Sequence, residues 1–253
     1  MSKLDFGGGG MRSLDFQSGG RIKVWDLPLR LFHWILVVAI AVAFLSSEED
    51  SGLNDWHVLS GWVAASLLAF RLVWGFVGGE HSRFSDFLTF RGMRHHLSGL
   101  AKGTVEPTLG HNPLGSIAVV LLLVLVAVTV WSGAFLGESG EELHEIVAWV
   151  LLALVAVHVL AVVLTSLSAR ESLVRAMIDG TKPKERHPFA MDARRPGPVA
   201  MFLGAAALFG AIFAIQYYDP DAFKLRSAES FEHRSDGSKT ATSYETEAEN
   251  EED

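Results

Sequence analysis

The chain has no cysteine among its 253 residues. That absence excludes disulfides, iron–sulfur clusters, thiolate metal sites and covalent attachment of a c-type haem. Charge is scarce as well. Only 20% of the residues are Asp, Glu, Lys or Arg, and Leu114 to Leu136 contains none. A mean hydropathy of +0.28 with 49% hydrophobic residues then excludes a soluble enzyme. No proline falls in the middle of an apolar run. We find no nucleophile–base pair, no phosphate-binding glycine loop and no nucleic-acid patch. The chain therefore reads as lacking bond-making catalytic residues of its own.

What is present is a set of apolar runs of the length that crosses a bilayer, roughly 20 residues. Five are predicted: 28–46, 56–77, 113–136, 143–167 and 198–217. Pro28, Pro113 and Pro198 each suit a first helical turn, where the missing amide costs nothing. The first run lacks a small-residue cleavage site and reads as a retained span. The fold class expected is all-α integral membrane protein.

Basic residues fall on alternate connections. Residues 1–30 carry Lys3, Arg12, Arg21, Lys23 and Arg30; residues 78–112 carry Arg83, Arg91, Arg94 and Lys102; seven more lie in 168–196. The loops 47–55 and 137–142 have no Lys or Arg and hold Glu48, Glu49, Asp50, Asp55, Glu138, Glu141 and Glu142. The positive-inside rule places the N-terminus in the cytoplasm. Five spans then put residues 218–253 on the periplasmic side. That tail has eleven acids and four bases, and it reads as disordered and solubilising. Residues 1–22, with the near-repeat Leu4-Asp5-Phe6 and Leu14-Asp15-Phe16, read as a disordered cytoplasmic segment. Residues 183–197 read as a cytoplasmic linker. Trp25, Trp56 and Trp131 fit interfacial belts.

Ionisable side chains inside a bilayer are costly and usually functional, and four histidines lie in or at the spans: His33, His57, His144 and His158. His144 and His158 are fourteen residues apart. At about 100° per residue both point the same way, separated by about 21 Å along the axis. With alternating helix directions, His33 and His158 share the cytoplasmic depth, and His57 and His144 the outer depth. Each pair would supply both axial nitrogens to one haem iron between facing helices. One histidine at a helix end is an ordinary interfacial residue; four at paired depths are not. Gly61, Ala148 and Ala161 leave room for a flat macrocycle, and are also ordinary packing residues. Arg71 is the one Lys or Arg deep inside a span, on the face of His57. It either pairs with a haem propionate or snorkels to the cytoplasmic headgroups. His81 and His111 stand near the mouth of the helices, where capping or loop packing competes with a contact to a propionate or quinone. His95, His96, His187 and His233 read as solvated loop residues.

The run Val24-Trp25-Asp26-Leu27-Pro28-Leu29-Arg30-Leu31-Phe32-His33-Trp34 resembles the first-helix signature of the bacterial cytochrome b561 family, which includes the b-type cytochrome subunit of nickel–iron hydrogenases. Trp56-His57, Phe70-Arg71-Leu72-Val73-Trp74-Gly75, His81-Ser82-Arg83-Phe84, Gly110-His111-Asn112-Pro113, Leu143-His144-Glu145 and Leu173-Val174-Arg175-Ala176-Met177 follow in the family's order. The likeness covers residues 23–182. It implies a four-helix transmembrane bundle enclosing two haems b, with His33, His57, His144 and His158 as axial ligands and the fifth helix outside the core. A Gly-Met-Trp type stretch of the hydrogenase-linked members is missing, which brings the resemblance closer to stand-alone members. The expectation is transmembrane electron transfer in the bacterial inner membrane, between the quinone pool and a periplasmic cytochrome c or peripheral dehydrogenase or hydrogenase. The competing readings are a histidine-based proton-relay transporter and a passive membrane anchor of a peripheral oxidoreductase.

Overall fold

Asp26 starts the first long helix. Its carboxylate accepts a hydrogen bond from the Leu29 amide at 2.8 Å, and Pro28 fills the first turn, the arrangement that satisfies orphan donors at a helix start. A computed structural model of the chain describes residues 20–48, 53–87, 108–110 and 113–225. The near-repeat before residue 20, Glu49, Asp50, Arg91, Arg94, Lys102, His95, His96, His111, His233 and the tail beyond 225 lie outside the described residues.

Among those residues the elements are β1 (Arg21–Lys23), α1 (Leu27–Leu45), α2 (Asn54–Val77), α3 (Phe84–Phe87), α4 (Pro113–Phe135), α5 (Glu141–Ala169), α6 (Leu173–Asp179), β2 (Thr181–Pro183) and α7 (Pro198–Tyr218). Helices α1, α2, α4, α5 and α7 are long and apolar enough to cross a membrane, and the protein is a multi-pass membrane protein. Most of their surface is exposed apolar side chain, as a lipid-facing helix requires.

Helix α2 is the hub. It packs along α1, α4 and α7, while α5 packs closely on α4. The contact with α7 depends on Gly204, where a Cβ would meet the Trp74 ring at 2.8 Å and Phe70 at 3.0 Å. Close approach through a small residue is how helices associate in lipid. The fifth helix thus rests on α2, a contact that could not be read from the sequence.

At the end of the helices carrying the basic connections, β1 and β2 form an antiparallel ribbon with Ile22 opposite Lys182. Beneath it lies a buried Glu–Lys–His triad. Glu171, just past the end of α5, accepts from Lys182 Nζ at 2.9 Å and bonds His187 Nε2 at 3.0 Å, and all three side chains are at most 6% exposed. Lys182 Nζ also donates to the Thr108 carbonyl at 2.8 Å. His187, expected as a solvated loop residue, is instead buried. A carboxylate 16 positions away in the chain gives it a partner, which no local pattern reveals. Gly180, at φ +80°, ends α6; a Cβ there would meet the Trp25 carbonyl at 2.8 Å.

Candidate metal centre

His57 sits in the first turns of α2, and His144 in the first turns of α5. Their rings approach to 5.9 Å between centroids, at 72° to one another. His57 Nδ1 lies 2.8 Å from the Ala43 carbonyl at the end of α1, and His144 Nδ1 lies 2.9 Å from the Thr129 carbonyl of α4. A carbonyl can only accept, so each Nδ1 must be the protonated nitrogen. The lone pair is then on Nε2 in both rings. This is the outer-shell arrangement of a metal-ligating imidazole, with one nitrogen anchored and the other presented. Ser132 Oγ is a second neighbour of His144 Nδ1, at 3.3 Å.

His33 on α1 and His158 on α5 are both half-buried and stand near one another. His158 lies seven residues beyond the buried Leu151, on the helix face that Leu151 turns to the core. His33 packs edge-on against Trp34, with centroids 5.1 Å apart. Its Nδ1 is shielded from solvent and has no hydrogen-bond partner among the described residues. A buried polar atom of this kind requires a partner the protein does not supply.

Between the two pairs lies an apolar layer. His144, Leu151 and His158 recur every seven residues, and so do His57, Ala64 and Arg71, which keeps each trio on one helix face. Ala64 and Leu151 are both buried and meet with Val126 in one cluster. Two polar levels are therefore separated by a packed apolar partition.

At the basic end, Arg71 is 1% exposed. Its guanidinium lies over the Phe84 ring, 4.7 Å from the centroid, and it feels the carboxylate of Asp26. It does not extend to the surface. Asp26 in turn accepts from Trp74 Nε1 at 3.2 Å, Gly79 N at 3.1 Å and Ser82 Oγ, so it ties the start of α1 to the end of α2. His81 sits against Trp25. Burial holds its pKa below the usual histidine value, and Lys182 acts in the same direction, against the pull of Glu80 and Asp86.

The residues present fit a haem. Two metal–nitrogen bonds of about 2 Å each plus the two ring radii put facing imidazole centroids about 6 Å apart, close to the observed 5.9 Å. Gly61, one turn beyond His57, opens onto space in which a Cβ would meet no atom within 4 Å. Among the described residues, no three His, Asp or Glu side chains converge on a common point. Donors arranged in twos suit an iron that brings its own four ring nitrogens.

The model of the family described as prokaryotic cytochrome b561 matches residues 24–180. The chain belongs to that family. This cytochrome is similar to proteins named probable Ni/Fe-hydrogenase B-type cytochrome subunit. That of Azotobacter vinelandii is 25% identical over 210 residues, covering 63% of this chain and 87% of the relative. That of Rhizobium leguminosarum bv. viciae is 24% identical over 223 residues, covering 68% and 92%. That of Bradyrhizobium diazoefficiens is 23% identical over 211 residues, covering 64% and 85%. No solved structure matches. These relatives are hydrogenase-type, so the expected closeness to stand-alone members rests on sequence residues alone. As a b561-family cytochrome the protein carries haem b and transfers electrons in a membrane.

Sequence reasoning missed the support for His144. Thr129, Ser132 and Gly133 form a small polar stripe at i, i+3 and i+4 in an otherwise apolar span. That pattern was a usable signal. A Cβ at Gly133 would meet the His144 ring at 2.8 Å.

Proposed function

We propose that this cytochrome is a di-haem transmembrane electron carrier in which α1, α2, α4 and α5 form a four-helix bundle around two haems b. Residues 23–182 would make this domain, 183–197 a linker and 198–217 an added span. His57 and His144 would hold one iron, and His33 and His158 the other. The observation that carries the reading is the pair of seven-residue stripes, which set two histidine levels on either side of the Ala64–Leu151 layer. When bound, haem b supplies reversible one-electron iron chemistry.

The chain's own residues do the rest. Two histidines to each haem would leave that iron no position open to oxygen or to a substrate. The Ala43 and Thr129 carbonyls hold the His57 and His144 rings by Nδ1 and leave Nε2 free to ligate. Arg71, buried at the level of the inner pair, would neutralise a propionate there. The apolar layer excludes water between the two levels. Electrons would pass between the quinone pool and a periplasmic redox partner, a cytochrome c or a peripheral dehydrogenase or hydrogenase. The names of the relatives support a peripheral hydrogenase as that partner. The basic connections support an inner-membrane protein with a cytoplasmic N-terminus.

Single histidine-to-alanine substitutions test the pairing. His57→Ala and His144→Ala should remove the same spectral component, and His33→Ala and His158→Ala the other. Losses that couple His33 with His144 would sink the assignment. Reduction of both haems by a short-chain quinol in proteoliposomes tests the quinone end.

A further inference from the structure

A cavity of about 690 Å³ opens at the basic end of α1, on the outside of the helices. Helices α1 and α7 flank α2 without packing closely on each other, and Leu67 and Phe70 of α2 form the floor between them. Leu31, Ile35, Met201 and Leu208 line the walls. Lys23, Arg30, Arg194 and Arg195 stand around the mouth. We propose that this groove is a binding site for one anionic phospholipid of the leaflet at that end. Its phosphate would lie among the mouth's cations and one acyl chain in the apolar slot.

Charge complementarity argues for an anionic headgroup. Three carboxylates also line the cavity, but each is already engaged. Asp26 takes Leu29 N, Trp74 and Gly79 N. Glu80 accepts from the Arg194 amide at 2.9 Å. Asp179 pairs with Arg21 at 2.7 Å and with Arg175 at 3.4 Å. Lys23 and Arg195 are exposed and form no ion pair among the described residues. They are the cations left for a phosphate. Basic pockets between membrane helices bind anionic headgroups for this reason.

Length argues for a lipid chain. Leu27 to Ile35 spans about 12 Å along α1 at 1.5 Å per residue, most of the roughly 15 Å hydrocarbon depth of one leaflet. Direction argues against a redox ligand. Leu31 and Ile35 lie two positions either side of His33, about 160° round the helix from it. The body of α1 therefore stands between the groove and His33.

Native mass spectrometry of the full chain, delipidated in detergent, tests the proposal. It would be titrated with phosphatidylglycerol, with phosphatidylethanolamine, with glycerol phosphate and with a short-chain quinone. Phosphatidylglycerol should bind at least about tenfold more tightly than phosphatidylethanolamine. Lys23→Gln with Arg195→Gln should weaken phosphatidylglycerol by about thirtyfold and the zwitterionic phosphatidylethanolamine by only a few-fold, abolishing the preference between them. Leu208→Trp, which fills the slot, should weaken both. Equal binding of the two lipids by the unsubstituted chain would overturn the proposal, as would a lipid preference that survives the double substitution. Glycerol phosphate competing as well as the intact lipid would make this a free-anion site. Displacement by the quinone would make it a redox-ligand site. Either result refutes the assignment.

Discussion

Substituting Gly133 tests whether His144 is held for ligation. A Cβ at that position would lie 2.8 Å from His144 Cε1 and 2.9 Å from Nδ1, whereas ordinary contact begins at 3.4 Å. The ring must therefore give way by about 0.6 Å in Gly133→Ala. Its anchor is the 2.9 Å bond to Thr129 O. A shift of that size would stretch the bond to about 3.5 Å, outside the usual hydrogen-bonding range. The lost hydrogen bond is worth about 1 kcal/mol, and loss of such outer-shell support typically weakens metal affinity by about 10- to 100-fold. Gly133→Ala should then lose part of one haem on dilution or dialysis, and Gly133→Leu should lose that haem entirely, with the second haem proposed at His33 and His158 retained as the internal fold control. Gly210→Ala on α7, where nothing lies within 4 Å, should lose none. The assay is pyridine haemochrome content per polypeptide with the reduced-minus-oxidised spectrum. A full complement of haem with an unchanged spectrum in Gly133→Leu would refute the reasoning.

Four further outcomes follow from the same geometry. Gly61→Leu meets no protein atom at its Cβ, so it should leave the fold intact yet displace the haem of His57; full haem in that variant would mean the porphyrin lies elsewhere. Arg71→Gln should lower the midpoint potential of the haem proposed at His33 and His158 by tens of millivolts, about 60 mV for each 1.4 kcal/mol of lost cation stabilisation; a redox titration with no shift contradicts the propionate pairing. Glu171→Gln leaves Lys182 buried without its counter-charge and should cost about 3–5 kcal/mol, read as a fall in melting temperature in detergent; an unchanged melting point would show the triad to be dispensable. Because burial lowers the His81 pKa below the ordinary 6.5, the unfolded chain takes up this proton more readily. Its contribution to stability should therefore be lost as pH falls below about 6.5, and His81→Gln should flatten that slope; parallel pH profiles for the two proteins would refute it.

The spans and the two histidine levels were legible because both follow from helical periodicity and charge placement. A fourteen-residue spacing aligns His144 with His158, and Arg71 with His57, whatever surrounds them. The support for those histidines was less visible. Ala43 and Thr129 act through backbone carbonyls, which any residue carries, and only the Thr129–Ser132–Gly133 stripe hints at the place. The three-residue strands β1 and β2 are too short to show alternation, and they pair across more than 150 positions. Glu171, Lys182 and His187 each look like solvated loop residues until α6 and β2 bring them together. Arg71 was readable as unusual, but its contact with Phe84 depends on a short helix that sequence periodicity does not mark.

The most direct test of the central claim is haem stoichiometry of the purified full chain, from pyridine haemochrome against quantitative amino-acid analysis, with a redox titration of the same sample. Two haems b per polypeptide with two resolvable midpoint potentials is the result expected from the paired histidine levels. One haem per polypeptide, or none in a folded preparation, would contradict it.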